Sequence, residues 1–207
     1  MRSGETAEPP VRGLGSALDA AAAADAATTT LASLRAFALS HDRQAVADAC
    51  SRMAATSPLS DWRALDGPTG EANLYAVLPR EGVLCLAATE ADRLLQLAAV
   101  LAVGSRAVWP RDAEPLRAAL PADVRRAIRL VDDPFRATGV DVALHHGDGA
   151  SLLVAQQALG ARSGPIVTVV GLASGDAAVP IERLVVERSL CVNTAAAGGN
   201  ASLMTIG

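Results

Sequence analysis

The sequence predicts an α/β fold in which helices cover both faces of a mostly parallel sheet, preceded by a helical segment. From about residue 72 onward, short apolar runs alternate with amphipathic segments. Strands of a parallel sheet that is covered on both faces are apolar along their whole length, as these runs are. Of the 207 residues, 51% are hydrophobic and 2% are aromatic, so the predicted core consists of Leu, Val, Ile and Ala. Together these features predict a Rossmann-like arrangement of strands and helices.

Changes in composition divide the chain into four predicted segments. Residues 1–12 are polar and are predicted to form a disordered tail, and residues 13–66 form the helical segment. The Rossmann-like domain follows over residues 67–183. Residues 184–207 are predicted to form a terminal strand and a small, uncharged tail motif.

Helical periodicity is clearest near the start of the chain. Helices are expected over residues 14–39 and 42–55, and the second carries an apolar stripe of Val46, Cys50 and Met53. The stretch after it is rich in Pro and Gly up to residue 70, which predicts a linker.

Apolar runs and helix caps assign the elements of the α/β domain in order. Thr89-Glu-Ala-Asp92 fits a capping box that begins a helix, and Gly104 ends that helix. The predicted strands are Leu74–Leu78, Val83–Ala87, Arg106–Trp109, Ile128–Val131, Val140–His145, Pro165–Val170 and Leu184–Val192, and two further helices are predicted at Asp112–Leu120 and Asp148–Leu159.

Charge and composition exclude several functions. The net charge is −4, every cation is Arg, and the sequence contains no Lys. An acidic chain without a basic run is a poor nucleic-acid binder, and a chain without Lys has no Walker A loop and no Schiff-base chemistry. The first residues lack the apolar stretch of a signal peptide. No apolar run approaches the ~18 residues of a membrane-spanning helix, so a cytoplasmic location is expected.

One glycine-containing turn is a candidate for cofactor binding. His146-Gly-Asp-Gly149 follows a predicted strand and has the first two glycines of the dinucleotide-binding spacing, but Leu152 stands where the third belongs. Gly147 and Gly149 are therefore weak candidates, and a tight turn into a helix capped by Asp148 is the favoured interpretation. A free-standing nucleotide-binding domain stays the alternative function.

No catalytic residue and no metal site are predicted. The adjacent His145 and His146 would point to opposite faces of a strand, so they cannot share a metal, and one buried and one exposed ring are expected. Cys85 and Cys191 lie in apolar strand patterns, where a free Cys behaves as a small hydrophobic residue.

The tail is the most specific stretch of the sequence. It reads Glu187-Arg-Ser-Leu-Cys-Val-Asn-Thr-Ala-Ala-Ala-Gly-Gly-Asn-Ala-Ser-Leu-Met-Thr-Ile-Gly207. This closely resembles the terminal motif of the proline utilization A family, bifunctional bacterial enzymes that join a flavin-dependent proline dehydrogenase to an aldehyde dehydrogenase. The resemblance covers roughly residues 60–207 and includes Gly67–Glu71, Leu78–Arg80, Leu97–Ser105, Val108–Pro110, His146–Asp148 and Ile181–Leu184.

The resemblance implies a domain without chemistry of its own. In longer family members this region is a C-terminal domain outside both catalytic domains, similar to the cofactor-binding fold of aldehyde dehydrogenases. Ala88-Thr-Glu90 stands where active dehydrogenases have an Asn that donates to the oxyanion, and Trp109-Pro110 stands where they have a Lys-Pro that holds the ribose. The nucleophilic Cys motif and its general-base Glu have no matching segment. These losses imply a non-catalytic domain that binds no cofactor.

The resemblance also implies a docking role. The parent enzyme would oxidise proline to glutamate with FAD and NAD. This chain would lie against its aldehyde dehydrogenase domain and seal the cavity through which the intermediate passes. A role in oligomer formation stays an alternative, and the resemblance is compatible with a homo-oligomeric parent and with peripheral membrane association. The docking residues implied in the tail are Asn193, Thr194, Gly198, Gly199, Asn200, Leu203, Met204 and Ile206.

Overall fold

The computed structural model describes residues 14–67 and 71–193, and their side chains except at residues 14–24, 60, 61 and 193. The predicted disordered tail, residues 1–12, lies outside these ranges and stays a prediction.

Five parallel strands form the central sheet. They are β3 (Gly82–Ala87), β4 (Arg106–Pro110), β5 (Ile128–Val131), β6 (Val142–His146) and β7 (Thr168–Leu172). Their order is β5-β4-β3-β6-β7, so the first strand of this sheet lies in the middle and the strand order reverses between β3 and β6. This is the Rossmann arrangement, and it confirms the predicted fold class.

Helices cover both faces of the parallel sheet. They are α1 (Leu14–Ser40), α2 (Gln44–Thr56), α3 (Glu90–Ala102), α4 (Glu114–Ala119), α5 (Ala122–Arg126) and α6 (Gly149–Gly160). Buried residues of α1 to α5 share one core with one face of the sheet, whereas Leu159 of α6 packs with Leu84 and Ala143 on the other face. No helix in the described part of the chain has the length and apolar character to cross a bilayer.

Helix α3 is buried on all sides because it lies between the sheet and the first two helices. Every residue from Asp92 to Ala102 is buried, so the helix has no exposed face after its first turn. Leu34 of α1 and Met53 of α2 belong to the same core as α3. The helical segment therefore forms a second layer over the α/β domain.

A separate sheet of three antiparallel strands, which we name the arm, corrects two sequence predictions. Its strands are β1 (Ser60–Leu65), β2 (Glu71–Pro79) and β8 (Val185–Asn193), in the order β1-β2-β8. The sequence analysis places β1 in a helical segment and linker, and it places β2 in the α/β domain. The sequence does not predict the arm because β2 pairs with β8, which lies more than a hundred residues later in the chain. Patterns within a short stretch of sequence do not indicate pairing over such a distance.

The remaining differences concern element boundaries and have local causes. Helix α5 has no counterpart among the predicted helices, because Pro121 follows the predicted helix Asp112–Leu120 and a proline there indicates the end of a helix. The fixed φ of proline also suits the start of a new helix. Strand β7 begins at Thr168 and not at Pro165, which lacks the N–H that a ladder requires.

Gly82 lies so close to Gly139 that a side chain does not fit between them. A Cβ on Gly82 would overlap the Gly139 carbonyl oxygen, which belongs to the backbone and cannot rotate away. We therefore expect Gly82→Ala to lower the free energy of unfolding by roughly 1–3 kcal/mol. Gly160→Ala is the matched control, because a Cβ there meets nothing within 4 Å, and it should be neutral or slightly stabilising. Urea unfolding measures both, and an unchanged midpoint for Gly82→Ala would contradict the prediction.

Candidate functional site

A cleft of about 820 Å³ opens at the carboxyl ends of β3, β4 and β6. It lies where the strand order reverses, which is where open α/β sheets bind their ligands. Its walls include the polar residues Arg93, Asp112, His145, Asp148 and Ser151.

The carboxylate of Asp92 joins two segments beside this cleft. Thr89 caps α3 by accepting a hydrogen bond from the Asp92 N–H at 3.1 Å, and its hydroxyl donates back to Asp92 Oδ2 at 2.8 Å. From the loop after β7, the Ser174 hydroxyl and the Gly175 N–H each donate to Asp92 at 2.7 Å. Burial acts to raise the pKa of the Asp92 carboxyl, but the hydrogen bonds from Ser174, Gly175 and Thr89 hold it below its usual value.

His146 extends the same connection from α3 to the loop. Its Nδ1 lies 2.9 Å from Gln96 Nε2, which also donates to the Leu86 carbonyl oxygen, and its Nε2 lies 2.9 Å from the Asp176 carbonyl oxygen. These partners assign the tautomer with the proton on Nε2, because a carbonyl can only accept and the amide nitrogen can only donate. The ring therefore serves as a structural link.

Both adjacent histidines are buried, which corrects the expectation of one exposed ring. They point to opposite faces of β6, but β6 is a central strand with helices on both sides, so each face is covered. The His145 ring is 7% exposed, lines the cleft, and has an enclosed Nδ1 without a hydrogen-bond partner among the described residues. Burial and the neighbouring His146 lower the pKa of His145, and Asp148 opposes this only in part. The imidazole is therefore neutral at pH 7.

Arg93 places a buried guanidinium at the cleft. Its Nη2 donates to the Ala87 carbonyl oxygen at 2.6 Å, and its Nη1 lies 3.4 Å from the exposed Asp112 carboxylate. The guanidinium carbon also lies 5.9 Å from the centre of the buried Trp109 ring. The Arg93 guanidinium therefore interacts with groups of the chain itself: a carbonyl oxygen, a carboxylate and an aromatic ring.

The turn that contains Gly147 and Gly149 does not fit a pyrophosphate. The Asp148 carboxylate accepts the Ser151 N–H at 2.8 Å and the Ser151 hydroxyl at 2.7 Å, which occupies the end of α6 where a phosphate would bind. These same hydrogen bonds lower the pKa of Asp148, so the group is an anion. A Cβ on Gly147 would lie 2.7 Å from both the His145 ring and the Ser151 hydroxyl, so the turn is already filled.

The cysteines are poor nucleophiles or lie away from the cleft. Burial raises the pKa of Cys50 and of Cys85 to about 12, so both are neutral thiols. Cys191 is exposed, which corrects its assignment to an apolar environment, because β8 belongs to the arm and not to the core. Among the described residues, no three His, Cys, Asp or Glu side chains are grouped to hold a metal.

The arm offers a second candidate surface, the apolar arm face. Strand register places Ala64, Leu74 and Leu190 side by side on this face, with Ala72 opposite Val192. Leu190 is 46% exposed and Val192 is 45% exposed. The outer edge of β8 carries no further strand among the described residues, so its backbone groups are available for pairing.

The predicted docking residues lie at and beyond the end of the arm. Asn193 closes the β2–β8 ladder opposite Glu71 through its backbone. The others, Thr194, Gly198, Gly199, Asn200, Leu203, Met204 and Ile206, lie outside the described residues and stay predictions.

The sequence predicts the Thr89 cap, but it does not predict the loop that the Asp92 carboxylate holds. In a capping box the acidic residue three positions after the cap interacts with the start of its own helix, so the motif gives no indication of the hydrogen bonds from Ser174 and Gly175 to Asp92. A signal for the loop exists in Ser174-Gly-Asp176, because Gly175 adopts a left-handed φ of 83° that marks a tight turn. Nothing local indicates that this turn lies against α3.

Solved structures place this fold among the aldehyde dehydrogenases. A crystal structure of a bifunctional proline utilization A (PutA) protein superposes with a TM-score of 0.54 and 20% identity, covering 84% of this chain and 23% of that one. An indole-3-acetaldehyde dehydrogenase superposes with a TM-score of 0.51 and 15% identity, covering 77% of this chain and 51% of that one. The chain therefore has an aldehyde dehydrogenase-like Rossmann fold.

Sequence relatives identify the family. The chain is 48% identical over 184 residues to the bifunctional protein PutA of Salmonella typhimurium, which covers 87% of this chain and 14% of the relative. It is 50% identical over 161 residues to that of Escherichia coli, covering 76% of this chain and 12% of the relative. The chain belongs to the proline utilization A family and spans about one-seventh of the length of these relatives. No protein-family profile matches it.

The Asp92 interactions make stability depend on pH. The pKa of this carboxyl is lower in the folded chain, so its contribution is present above the ordinary carboxyl pKa and is lost as pH falls through the folded-state value. We expect Asp92→Asn to lower the free energy of unfolding by about 1–3 kcal/mol at pH 7 and by less in acid, where the wild-type group is protonated. Asp66→Asn, at an exposed position, is the control. Urea unfolding at several pH values tests this, and an equal loss at pH 7 and in acid would contradict it.

Proposed function

We propose that this chain is the non-catalytic C-terminal module of a bifunctional enzyme that oxidises proline to glutamate. In this proposal it docks on the aldehyde dehydrogenase domain of the parent and closes the cavity through which the intermediate, pyrroline-5-carboxylate or its open semialdehyde, moves between two active sites. The parent would use FAD and NAD and would be cytoplasmic, and this chain would bind neither cofactor.

The apolar arm face is the observation that carries the proposal. Beyond Val186, every described residue of β8 from Glu187 to Val192 is exposed, so this outer strand of the arm is not covered by the described part of the chain. Leu190 and Val192 are already about half buried, so covering the rest of each side chain with a partner would contribute roughly 0.7–1.5 kcal/mol each. The open edge of β8 adds backbone groups that a partner strand can satisfy.

The direction of β8 supports delivery of the tail to a neighbour. β8 begins at Val185, next to the buried Leu184 of the core, and ends at Asn193. Nine extended residues span roughly 30 Å, so Asn193 lies at the opposite end of the arm from Val185. In this proposal the tail continues from that end of the arm onto a neighbouring surface.

The state of the cleft supports a role without chemistry. Each of the two helices that face the cleft has a carboxylate at its start: Asp92 in the first turn of α3 and Asp148 as the N-cap of α6. Asp92 accepts the Gly175 N–H, and Asp148 accepts the Ser151 N–H. Cys85, the cysteine on the strand beside the cleft, is a buried neutral thiol. These features disfavour the alternative of a free-standing nucleotide-binding domain.

Removing residues 194–207 from the full-length parent tests the sealing role. We expect proline dehydrogenase activity to persist, and we expect coupled formation of glutamate from proline to fall several-fold with a lag, because the intermediate escapes into solution. Dehydrogenase activity with supplied semialdehyde separates leakage from a damaged active site, since leakage leaves this activity intact. Unchanged coupled flux, with no lag, would overturn the proposal.

Substitutions in the arm test docking without the tail. Leu190→Asp with Val192→Asp places charges on the apolar arm face, and we expect this pair to weaken association of the chain with a separately expressed catalytic part at least tenfold, a loss of about 1.4 kcal/mol. Ser189→Ala with Cys191→Ser alters the opposite face of the same strand and serves as the control. Equal affinities for the two variants would argue against this docking surface. Light scattering of the chain alone would reveal self-association through the arm as the competing role.

A further inference from the structure

A groove at the amino ends of β3, β4 and β5, which we name the arginine groove, lies at the opposite end of the parallel sheet from the cleft. It has a volume of about 410 Å³ and is lined by the side chains of Arg106, Arg126 and Arg129, with Glu81 as the acidic residue in its wall. We infer that the arginine groove binds a phosphate dianion, either free or as the monoester of a small molecule. This site is separate from the arm and does not depend on the proposed docking role.

The three arginines are available to a ligand. All three are exposed, and none of them forms an ion pair with another described residue. Arg129 donates through Nη2 to the Thr138 carbonyl oxygen, which leaves its other N–H groups open. Asp123 attracts Arg126 electrostatically, but the Asp123 carboxylate accepts hydrogen bonds from Ser33 and from backbone N–H groups.

The fold brings these three residues together at the amino ends of the strands. Arg129 of β5 lies directly opposite Val108 of β4, and Arg106 is two residues before Val108, so both arginines project from the same face. Arg126 lies at the end of α5, immediately before β5. Three like charges placed together repel one another unless an anion neutralises them.

Three carboxylates lie near the three arginines: Glu81 lines the groove, whereas Asp123 and Asp141 lie outside its lining. The Asp141 carboxylate accepts hydrogen bonds from the backbone N–H groups of Glu81 at 2.7 Å and Gly82 at 3.4 Å. Glu81 and Arg129 both lie near Gly139, because a Cβ on Gly139 would be 3.8 Å from the Glu81 Oε1 and 4.0 Å from the Arg129 Nη2. Gly139 has a left-handed φ of 62°, so the turn between the two groups carries no side chain.

The charged groups that line the arginine groove favour an anionic ligand. Three guanidinium groups against one carboxylate give the lining two excess positive charges, in a chain whose net charge is −4. The excess within the lining favours an anionic ligand, and the two carboxylates outside it, Asp123 and Asp141, already accept hydrogen bonds from the chain itself. Guanidinium groups are planar forks that bind phosphate oxygens in pairs, and the groove has the size of a small-molecule site.

Calorimetric titration of the chain with inorganic phosphate, at constant ionic strength, tests the inference. We expect saturable binding, and we expect Arg106→Gln with Arg126→Gln to weaken it at least about tenfold, because charge-assisted hydrogen bonds are lost. Arg52→Gln with Arg188→Gln is the matched control: it removes the same charge at two exposed positions outside the groove. Heat unfolding of both double variants checks that they are folded.

The outcomes separate the sources of the ligand and define failure. Tighter binding of glycerol phosphate than of inorganic phosphate would identify a phosphomonoester as the ligand, and equal or weaker binding would identify the free ion. Either result supports the site if the groove variant is impaired and the control is not. Absence of saturable binding, or equal loss in the two double variants, would overturn the inference.

Discussion

The hydrogen bonds to the buried Asp92 carboxylate hold together the structure at the carboxyl ends of the parallel strands. This carboxylate accepts hydrogen bonds from its own helix cap and from a loop about eighty residues later, while His146 and Gln96 connect the same loop to β6 and α3. An anion that is 2% exposed is tolerated only when donors surround it, so Thr89, Ser174 and Gly175 are required together. The loop that closes one side of the cleft is fixed by this requirement.

The consequence is a ligand crevice whose anion-binding positions are already taken. In a nucleotide-binding Rossmann domain, the helix N-termini at the strand reversal are free to receive phosphate. Here the Thr89 hydroxyl accepts the Asp92 N–H in the first turn of α3, and the Asp148 carboxylate accepts the Ser151 N–H in the first turn of α6. Arg93 is held by the Ala87 carbonyl oxygen and Asp112. The architecture of a cofactor domain is retained while its polar groups stabilise the chain itself, which agrees with the docking role that we propose for the arm.

Sequence patterns predict the central sheet well and the arm poorly, for a physical reason. The strands from β3 to β6 are continuous apolar runs, and Thr89 and Asp148 are caps whose signals lie within four residues, so local patterns are sufficient. Strand β1 has no such pattern, and its stability comes from β2, which in turn pairs with β8. The two histidines show the same limit: alternation along β6 places them on opposite faces, but only the tertiary packing shows that both faces are covered.

The pairing of β2 with β8 has a further consequence for how the chain is synthesised. Glu71 and Asn193 are partners across about 120 residues, so the ribosome makes β2 long before its neighbour exists. Until then β2 has only β1 beside it, and a two-stranded hairpin is marginal in water. The edge of β2 that later pairs with β8 is open until then to chaperones or to unwanted strand pairing. Because pairing between residues so far apart in sequence is slow, we expect the arm to form late in folding.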